Sequence, residues 1–241
     1  PSRDHTEIMM REFGCEVERG DGFVALSDER RLKACDIAIA ADPSSAAFAL
    51  AAAAIVTGSS VEVPSLLVNP LRTGLFEALK EMGAEVALSG ERIQSGERVA
   101  SLRVGHAPLR PVQIAAERVP GMIDEVPLLA VAAAFAEGES VIHGLGELRH
   151  KESDRLSAIV AGLAACGVAA EIKGDSLHVF GRGKARGGAR VAAQGDHRIA
   201  MAFLVLGLAA EEPVEVDSAG MIATSFPGFA ETMRALGADI Q

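Results

Sequence analysis

The sequence has no tryptophan and no tyrosine, and only nine phenylalanines among its 241 residues. Whatever core it builds must therefore be aliphatic. Cysteine is scarce too: Cys15, Cys35 and Cys166 make an odd count, and no two of them stand at metal-ligand spacing. That argues against a disulfide framework and for a reducing cytoplasm. Basic residues are in deficit, with 23 Lys and Arg against 33 Asp and Glu, for a formal net charge of −10. Surfaces that take up nucleic acid or anionic membrane carry the opposite balance, so both partners are disfavoured. A few arginines in a cleft can still set a positive local potential. The longest apolar runs, residues 46–56 and 126–136, are too short to span a bilayer. No signal peptide is expected. Also missing are a Gly-rich phosphate loop ending in Lys-Ser/Thr, a dinucleotide glycine fingerprint, a serine nucleophile elbow and any metal-ligand pattern. No cofactor and no metal are expected. The chain opens Pro1-Ser2 without an initiator methionine and reads as a piece of something longer.

What is present is an ordinary globular composition, 49% hydrophobic and 23% charged, enough for one large domain or for one domain and part of another. A repeat runs through it. Arg11-Glu-Phe-Gly-Cys-Glu-Val17, Lys80-Glu-Met-Gly-Ala-Glu-Val86, Ala164-Ala-Cys-Gly-Val-Ala-Ala170 and Arg234-Ala-Leu-Gly-Ala-Asp-Ile240 resemble one another. Each ends an amphipathic helical pattern with a glycine, the expected left-handed cap, and then turns to a strand-like pattern. The landmark glycines lie roughly 70 to 85 residues apart, the length of one supersecondary unit. A second landmark follows each alanine-rich helix and opens a β-branched strand: Gly58-Ser-Ser-Val-Glu-Val63, Gly138-Glu-Ser-Val-Ile142 and Glu212-Pro-Val-Glu-Val216. The unit reads helix, strand, helix, strand, strand. One copy covers about residues 42–117 and a second about 120–191. A third begins near Asp196 and stops after its second helix, leaving a sheet with exposed edges. Before Asp42 come a helix over residues 5–13 and strands near 23–26 and 36–40, the tail of a preceding unit.

Four helix starts carry residues suited to an anion site, where free backbone N–H groups and the helix dipole favour negative charge. In Asp42-Pro-Ser-Ser-Ala-Ala-Phe48, Asp42 is a natural N-cap and Pro43 fits the first helical position. This reads more readily as a capped structural helix at a domain boundary than as a catalytic element. In Met122-Ile-Asp-Glu-Val-Pro-Leu128, Asp124 and Glu125 precede a very apolar helix. An acid here is either a cap or a carboxylate at a cleft edge, usable as a general base. The densest charged cluster is Arg149-His-Lys-Glu-Ser-Asp-Arg-Leu156, where Lys151, Glu152 and Arg155 fit within one helical turn, with Lys151 and Arg155 on one face. Two cations at a positive helix terminus call either for an anionic ligand or for neutralisation by Glu152 and Asp154 in a solvated turn. In Gly195-Asp-His-Arg-Ile-Ala-Met201, Asp196 can cap, which leaves His197 and Arg198 in the first turn. Arg198 there suits an anion, or a local pair with Asp196. The basic stretch Gly181-Arg-Gly-Lys-Ala-Arg-Gly-Gly188 sits between strands and reads as a hairpin loop.

Taken in order, Asp42-Pro-Ser-Ser-Ala-Ala-Phe48, Asn69-Pro-Leu-Arg-Thr-Gly74, Met122-Ile-Asp-Glu125, Lys151-Glu-Ser-Asp-Arg-Leu156 and Asp196-His-Arg-Ile-Ala-Met201 resemble the 5-enolpyruvylshikimate-3-phosphate (EPSP) synthase family. The resemblance runs from Ser2 to the end of the chain and is to the C-terminal half of the family's enzymes. Met-Ile-Asp-Glu and Ala223-Thr-Ser-Phe-Pro227 look closest to its bacterial glyphosate-insensitive branch. It implies an α/β fold of repeated βαβαββ units, the EPSP synthase-like or inside-out α/β barrel. Residues 1–41 would end the first domain, and residues 42–241 would form nearly all of the second, with its last unit incomplete.

The resemblance also implies a reaction. The 5-hydroxyl of shikimate 3-phosphate attacks C2 of phosphoenolpyruvate while C3 is protonated, and phosphate leaves from the tetrahedral intermediate. By resemblance, Asp124 takes the hydroxyl proton, Lys151 touches shikimate 3-phosphate and assists proton transfer, and Glu152 serves proton exchange at the methylene. Arg155 and Arg198 hold phosphoenolpyruvate in fork geometry, and Arg3 reaches the shikimate phosphate from the first domain. His197 lies beside the site with no assigned role. Where some members have a further lysine on phosphoenolpyruvate, this chain has Thr224. The family's N-terminal half is expected as a partner, since it carries the remaining lysine, arginine and serine contacts, so the chain alone is expected to be inactive or nearly so. Two other readings compete. One is the enolpyruvyl transferase of the same fold acting on UDP-N-acetylglucosamine, which would not carry Lys-Glu-Ser-Asp-Arg together with Asp-His-Arg. The other is a non-catalytic domain.

Overall fold

A computed structural model describes residues 2–27 and 31–241. Helix α1 (His5–Glu12) and the antiparallel hairpin of β1 (Val17–Gly20) and β2 (Phe23–Leu26) come first. The first unit follows, with α2 (Pro43–Ile55), β3 (Ser60–Leu67), α3 (Gly74–Glu81), β4 (Glu85–Gln94) and β5 (Glu97–Gly105). The second holds β6 (Gln113–Ile114), α4 (Val126–Ala134), β7 (Glu137–Ile142), α5 (Arg155–Ala165), β8 (Ala169–Lys173) and β9 (Ser176–Arg182). The third holds β10 (Arg190–Val191), α6 (His197–Gly207), β11 (Glu215–Val216) and α7 (Phe229–Ala235).

Pairing repeats from unit to unit. In the second, β6 runs parallel to β7, and the antiparallel strands β9 and β8 complete the order β6-β7-β9-β8. In the first, the order is β3-β5-β4, and Ala41 bridges Leu66 in parallel in the place that β6 takes beside β7. The third has only the parallel pair β10-β11 among the described residues. The helix, strand, helix, strand, strand order expected from the repeat is thus present twice in full. The landmark glycines cap as expected, with φ of 81° at Gly14, 103° at Gly83, 80° at Gly167 and 98° at Gly237.

The helices that lead the units form the core. Every residue of α4 is buried, as are eleven of the residues of α2, and α6 buries Ile199, Ala200, Met201, Ala202, Phe203, Val205 and Leu206. A helix apolar on all sides must be enclosed by protein. Here α2, α4 and α6 touch one another, and alanine lets them come close. The sheets lie outside them. Among the described residues no helix is long and apolar enough to cross a membrane.

Glycine is required where a sheet crosses a helix end. A Cβ on Gly181 of β9 would stand 2.1 Å from the carbonyl oxygen of Ala136 and 2.2 Å from that of Ala133. Backbone cannot yield as a side-chain tip can. Gly181→Ala should therefore lower stability by about 1–3 kcal/mol in a urea melt. An unchanged midpoint would mean that α4 and β9 separate freely.

Two expectations are corrected. Residues 36–40 form no strand; the Ala38 amide donates to Ser95 Oγ at 2.9 Å and its carbonyl accepts from Gln94 Nε2 at 3.4 Å. Side chains thus take the groups a ladder would use. Residues 181–188 are no hairpin, because β9 pairs with β7 and β8 while β10 pairs with β11. The stretch joins two units, and Lys184 is paired with Glu211 at 2.8 Å.

Candidate functional site

The first turns of α2, α4, α5 and α6 contribute to one cluster. Asp42 caps α2 by accepting from the Ser45 amide at 2.8 Å, with Pro43 in the first turn, as the sequence indicated. Asp196 caps α6 by accepting from the amides of Arg198 at 2.9 Å and Ile199 at 3.4 Å. Asp124 caps nothing: it sits in a 3-10 turn, Ile123–Glu125, ahead of α4. Of the two readings for that acid, the cap is not what the structure shows.

The charged cluster departs from expectation. Helix α5 begins only at Arg155, capped by Asp154, which accepts from the Ser157 amide at 3.1 Å. Lys151 and Glu152 lie ahead of it in a bend, after the 3-10 turn Gly146–His150. Lys151 and Arg155 therefore share no helical face. The cause is Asp154: as N-cap it fixes the residues before it out of helical register. Lys151 instead pairs with Glu147 at 2.7 Å.

Arg155 turns inward and is fully buried. Its Nε donates to Asp196 Oδ2 at 2.8 Å, its Nη1 to Asp124 Oδ1 at 3.3 Å, and its Nη2 to Glu152. Neutralisation by Glu152 is thus real, but the other two carboxylates come from distant segments, α6 and the turn before α4. Arg198 reaches the same acid, with Nη1 donating to the Asp124 carbonyl at 3.3 Å and Nη2 lying 3.8 Å from Asp124 Oδ2. Arg3 donates to Asp124 Oδ2 from ahead of α1. Arg198 is not paired with its neighbour Asp196, whose carboxylate is taken by Arg155 and by Ser153 Oγ at 3.1 Å.

Asp124 thus sits among three guanidinium groups. Burial alone would raise its pKa; the charge of Arg198, the hydrogen bond and charge of Arg3 and the charge of Arg155 outweigh this and hold it below its ordinary value. Asp196 behaves likewise: burial opposes ionisation, and Arg155 and the Arg198 amide hold its pKa low. His197, at the start of α6, is held below its ordinary pKa by burial and by the charge of Arg198. Thr224 is exposed and donates to the Met221 carbonyl at 2.7 Å, within its own 3-10 turn.

Of the expected residues, Asp124, Glu152, Arg155, Arg198 and Arg3 meet directly, and Lys151 adjoins them. Asp196 and Ser153 complete the group. The sequence marked Asp196 as a cap or as the partner of a neighbouring residue; that it would bind Arg155 has no signal in local spacing.

Three arginines converge on one carboxylate in a mixed α/β fold of repeated βαβαββ units. The family model for EPSP synthase (3-phosphoshikimate 1-carboxyvinyltransferase) matches residues 1–233. The chain belongs to this family. It is 54% identical to 3-phosphoshikimate 1-carboxyvinyltransferase of Phenylobacterium zucineum, covering 99% of this chain and 54% of the relative. With that of Methylorubrum extorquens the identity is 56%, covering 100% and 55%. It superimposes on EPSP synthase from Acinetobacter baumannii with a TM-score of 0.95 at 38% identity, over 100% of this chain and 56% of the other. The enolpyruvyl transferase NikO from Streptomyces tendae, at TM-score 0.72 and 21% identity, shares the fold. The chain spans about half the length of the curated relatives it matches.

Proposed function

We propose that this chain supplies the C-terminal half of an EPSP synthase site, which transfers the enolpyruvyl group of phosphoenolpyruvate to the 5-hydroxyl of shikimate 3-phosphate with release of phosphate. Residues 1–41 belong in this reading to the first domain and residues 42–241 to the second. The observation that carries it is the gathering of Asp124, Glu152, Arg155 and Arg198 around one point by three separate segments. Asp124, kept ionised by its arginines, accepts the hydroxyl proton. Glu152 serves proton exchange at the methylene carbon, and Lys151 touches shikimate 3-phosphate and assists proton transfer. Arg198 holds the phosphoenolpyruvate anion, joined by Arg155 once the ligand displaces the Asp124 and Glu152 carboxylates from its Nη1 and Nη2, and Arg3 swings from Asp124 to the shikimate phosphate. Anionic ligands on these cations draw positive charge away from Asp124, so substrate binding itself raises the basicity of the acceptor.

The partner in this reading is the family's N-terminal half. Beside β11 runs a groove of about 1010 Å³ lined by Ala49, Ala53, Leu204, Val214, Met233 and Ile240. Among the described residues β11 pairs only with β10, so the groove leaves room for a further segment beside it. The reducing, cytoplasmic setting fits three free cysteines. Membership of the glyphosate-insensitive branch rests on Met122-Ile-Asp-Glu125 and Ala223-Thr-Ser-Phe-Pro227.

The test is phosphate release from the two substrates by this chain alone and after mixing with the N-terminal half of a relative. The expected result is turnover only on mixing. Turnover by the chain alone would overturn the shared site, and none in a folded, associated mixture would overturn the substrate assignment.

A further inference from the structure

Behind Asp124 lies a second carboxylate that the reaction does not use. Glu125 is buried, 5% exposed, at the end of the turn before α4. Its Oε1 accepts from Ser44 Oγ of α2 at 2.5 Å and stands 3.6 Å from Arg198 Nη1 of α6. Ser44 Oγ in turn accepts from Arg72 Nη2 at 2.9 Å, and the same Nη2 donates to Asp42 at 3.1 Å. Arg72 Nη1 lies 3.4 Å from His5 Nε2 at the start of α1, and His5 Nδ1 lies 2.6 Å from Glu97 Oε1. A line of polar contacts therefore runs from α1, ahead of Asp42, through the loop before α3 and the first turn of α2, to the guanidinium on α6.

A buried carboxylate is costly unless it is matched. Burial raises the pKa of Glu125, with Ser44, Arg198 and Arg72 opposing and the charge of Asp124 adding to the rise. The position is thus occupied at a cost to the fold, and it stands 3.6 Å from Arg198, one of the three arginines that face Asp124. Among the described residues, the single hydrogen bond made by the Arg198 guanidinium is Nη1 to the Asp124 carbonyl. Its Nη2 stands 3.8 Å from Asp124 Oδ2, beyond hydrogen-bond distance, and is open to a ligand only if the guanidinium does not close onto that carboxylate.

We propose that Glu125, held by Ser44 and Arg72, is a positioning residue that keeps the Arg198 guanidinium, 3.8 Å from the Asp124 carboxylate, from closing to a direct hydrogen bond there and so leaves it aimed at the anion site. The inference rests on reading Arg198 as an anion-binding cation. It assigns Ser44, Arg72 and Glu125 to the site although none of them touches substrate.

Ser44→Ala is the sharpest probe because it removes no ionisable side chain and takes away only the hydroxyl that holds Glu125. Glu125→Gln is the second variant. Ser140→Ala, a fully buried hydroxyl that bonds the Val112 amide at 3.1 Å in another sheet, controls for a general loss of stability. In the ligand-free chain, the Arg198 Nε–H resonance should shift and broaden in Ser44→Ala, shift further in Glu125→Gln, and stay in place in Ser140→Ala. Titrated with phosphoenolpyruvate, Ser44→Ala should bind about threefold to tenfold more weakly, the worth of one hydrogen bond. If the Arg198 resonance in Ser44→Ala and Glu125→Gln superimposes on that of the parent chain, or moves equally in Ser140→Ala, the positioning role is wrong. A parent chain blind to phosphoenolpyruvate would instead count against the proposed function, while the ligand-free resonance would still decide the role of Glu125.

Discussion

Arg155→Met is expected to destabilise the fold by about 3–5 kcal/mol at neutral pH, the cost of removing one partner from a buried ion pair. The guanidinium is fully buried and Asp196 is 0% exposed, so nothing replaces the lost contact. For a chain of this size the melting temperature should fall by roughly 10 °C. Methionine fills the space, so the loss comes from the uncompensated carboxylate and not from a cavity. Asp196→Asn added to Arg155→Met should return about half of the stability. The Asn oxygen can still accept from the Arg198 and Ile199 amides, which use Oδ1, while the vacated partner of Arg155 was Oδ2. The pH dependence gives a second readout. In the parent, Asp196 has a depressed pKa, so the stability it lends is present above its ordinary value of 3.8 and fades as acid protonates the folded state. In Arg155→Met the sign reverses. Burial without a cation raises the pKa, and the penalty is felt once pH exceeds the ordinary value. The gap between the two proteins should therefore be widest at pH 7 and narrow as pH falls toward about 4. A constant gap across urea melts from pH 7 to pH 4 would mean that losing Arg155 does not raise the Asp196 pKa, and the account of the uncompensated carboxylate would fail.

This pair also shows what was legible beforehand. The order of elements could be read because each unit ends its helices on a glycine that must go left-handed, and Gly14, Gly83, Gly167 and Gly237 do so. The apolar leading helices could be read because alanine and leucine on all faces admit only burial. Asp42 and Asp196 were legible as caps, since capping is a local property of three or four residues. The detail of the charged cluster was not. Spacing suggested a helix from Lys151, but Asp154 competes for the N-cap and wins, so the chain bends through residues 151–153. That Arg155 would turn in to meet Asp196 and Asp124 depends on α4, α5 and α6 coming together, a tertiary fact with no trace in a window of seven residues. Glu125 and Ser44 are 81 residues apart, and their contact was equally out of reach. The strand over residues 36–40 failed for a related reason. Its composition permits a strand, but the neighbouring turn offers Ser95 and Gln94 side chains in place of a ladder.

Asp124→Asn, assayed in the mixture with the N-terminal half, should reduce kcat by about 100-fold to 10,000-fold, the usual range for losing a positioned general base. Its effect on binding should have the opposite sign. Arg3, Arg155 and Arg198 all direct charge at this carboxylate, and the substrate anions must compete with it for them. With Asn in place the competition is gone, so KM for phosphoenolpyruvate should hold or fall while kcat collapses. Removal of a binding residue would instead raise KM. The fold should survive, because Arg155 keeps Asp196 and Glu152. The pH profile separates the base from its neighbours. The parent should lose kcat/KM as acid protonates Asp124, at a pH below the ordinary carboxylate value because the arginines depress its pKa. That acid limb should be absent in Asp124→Asn and present in Glu152→Gln. A loss of kcat under about tenfold with the limb intact would assign the proton to another group. Glu152 would then be first in line, since it stands against the same guanidinium from the opposite segment.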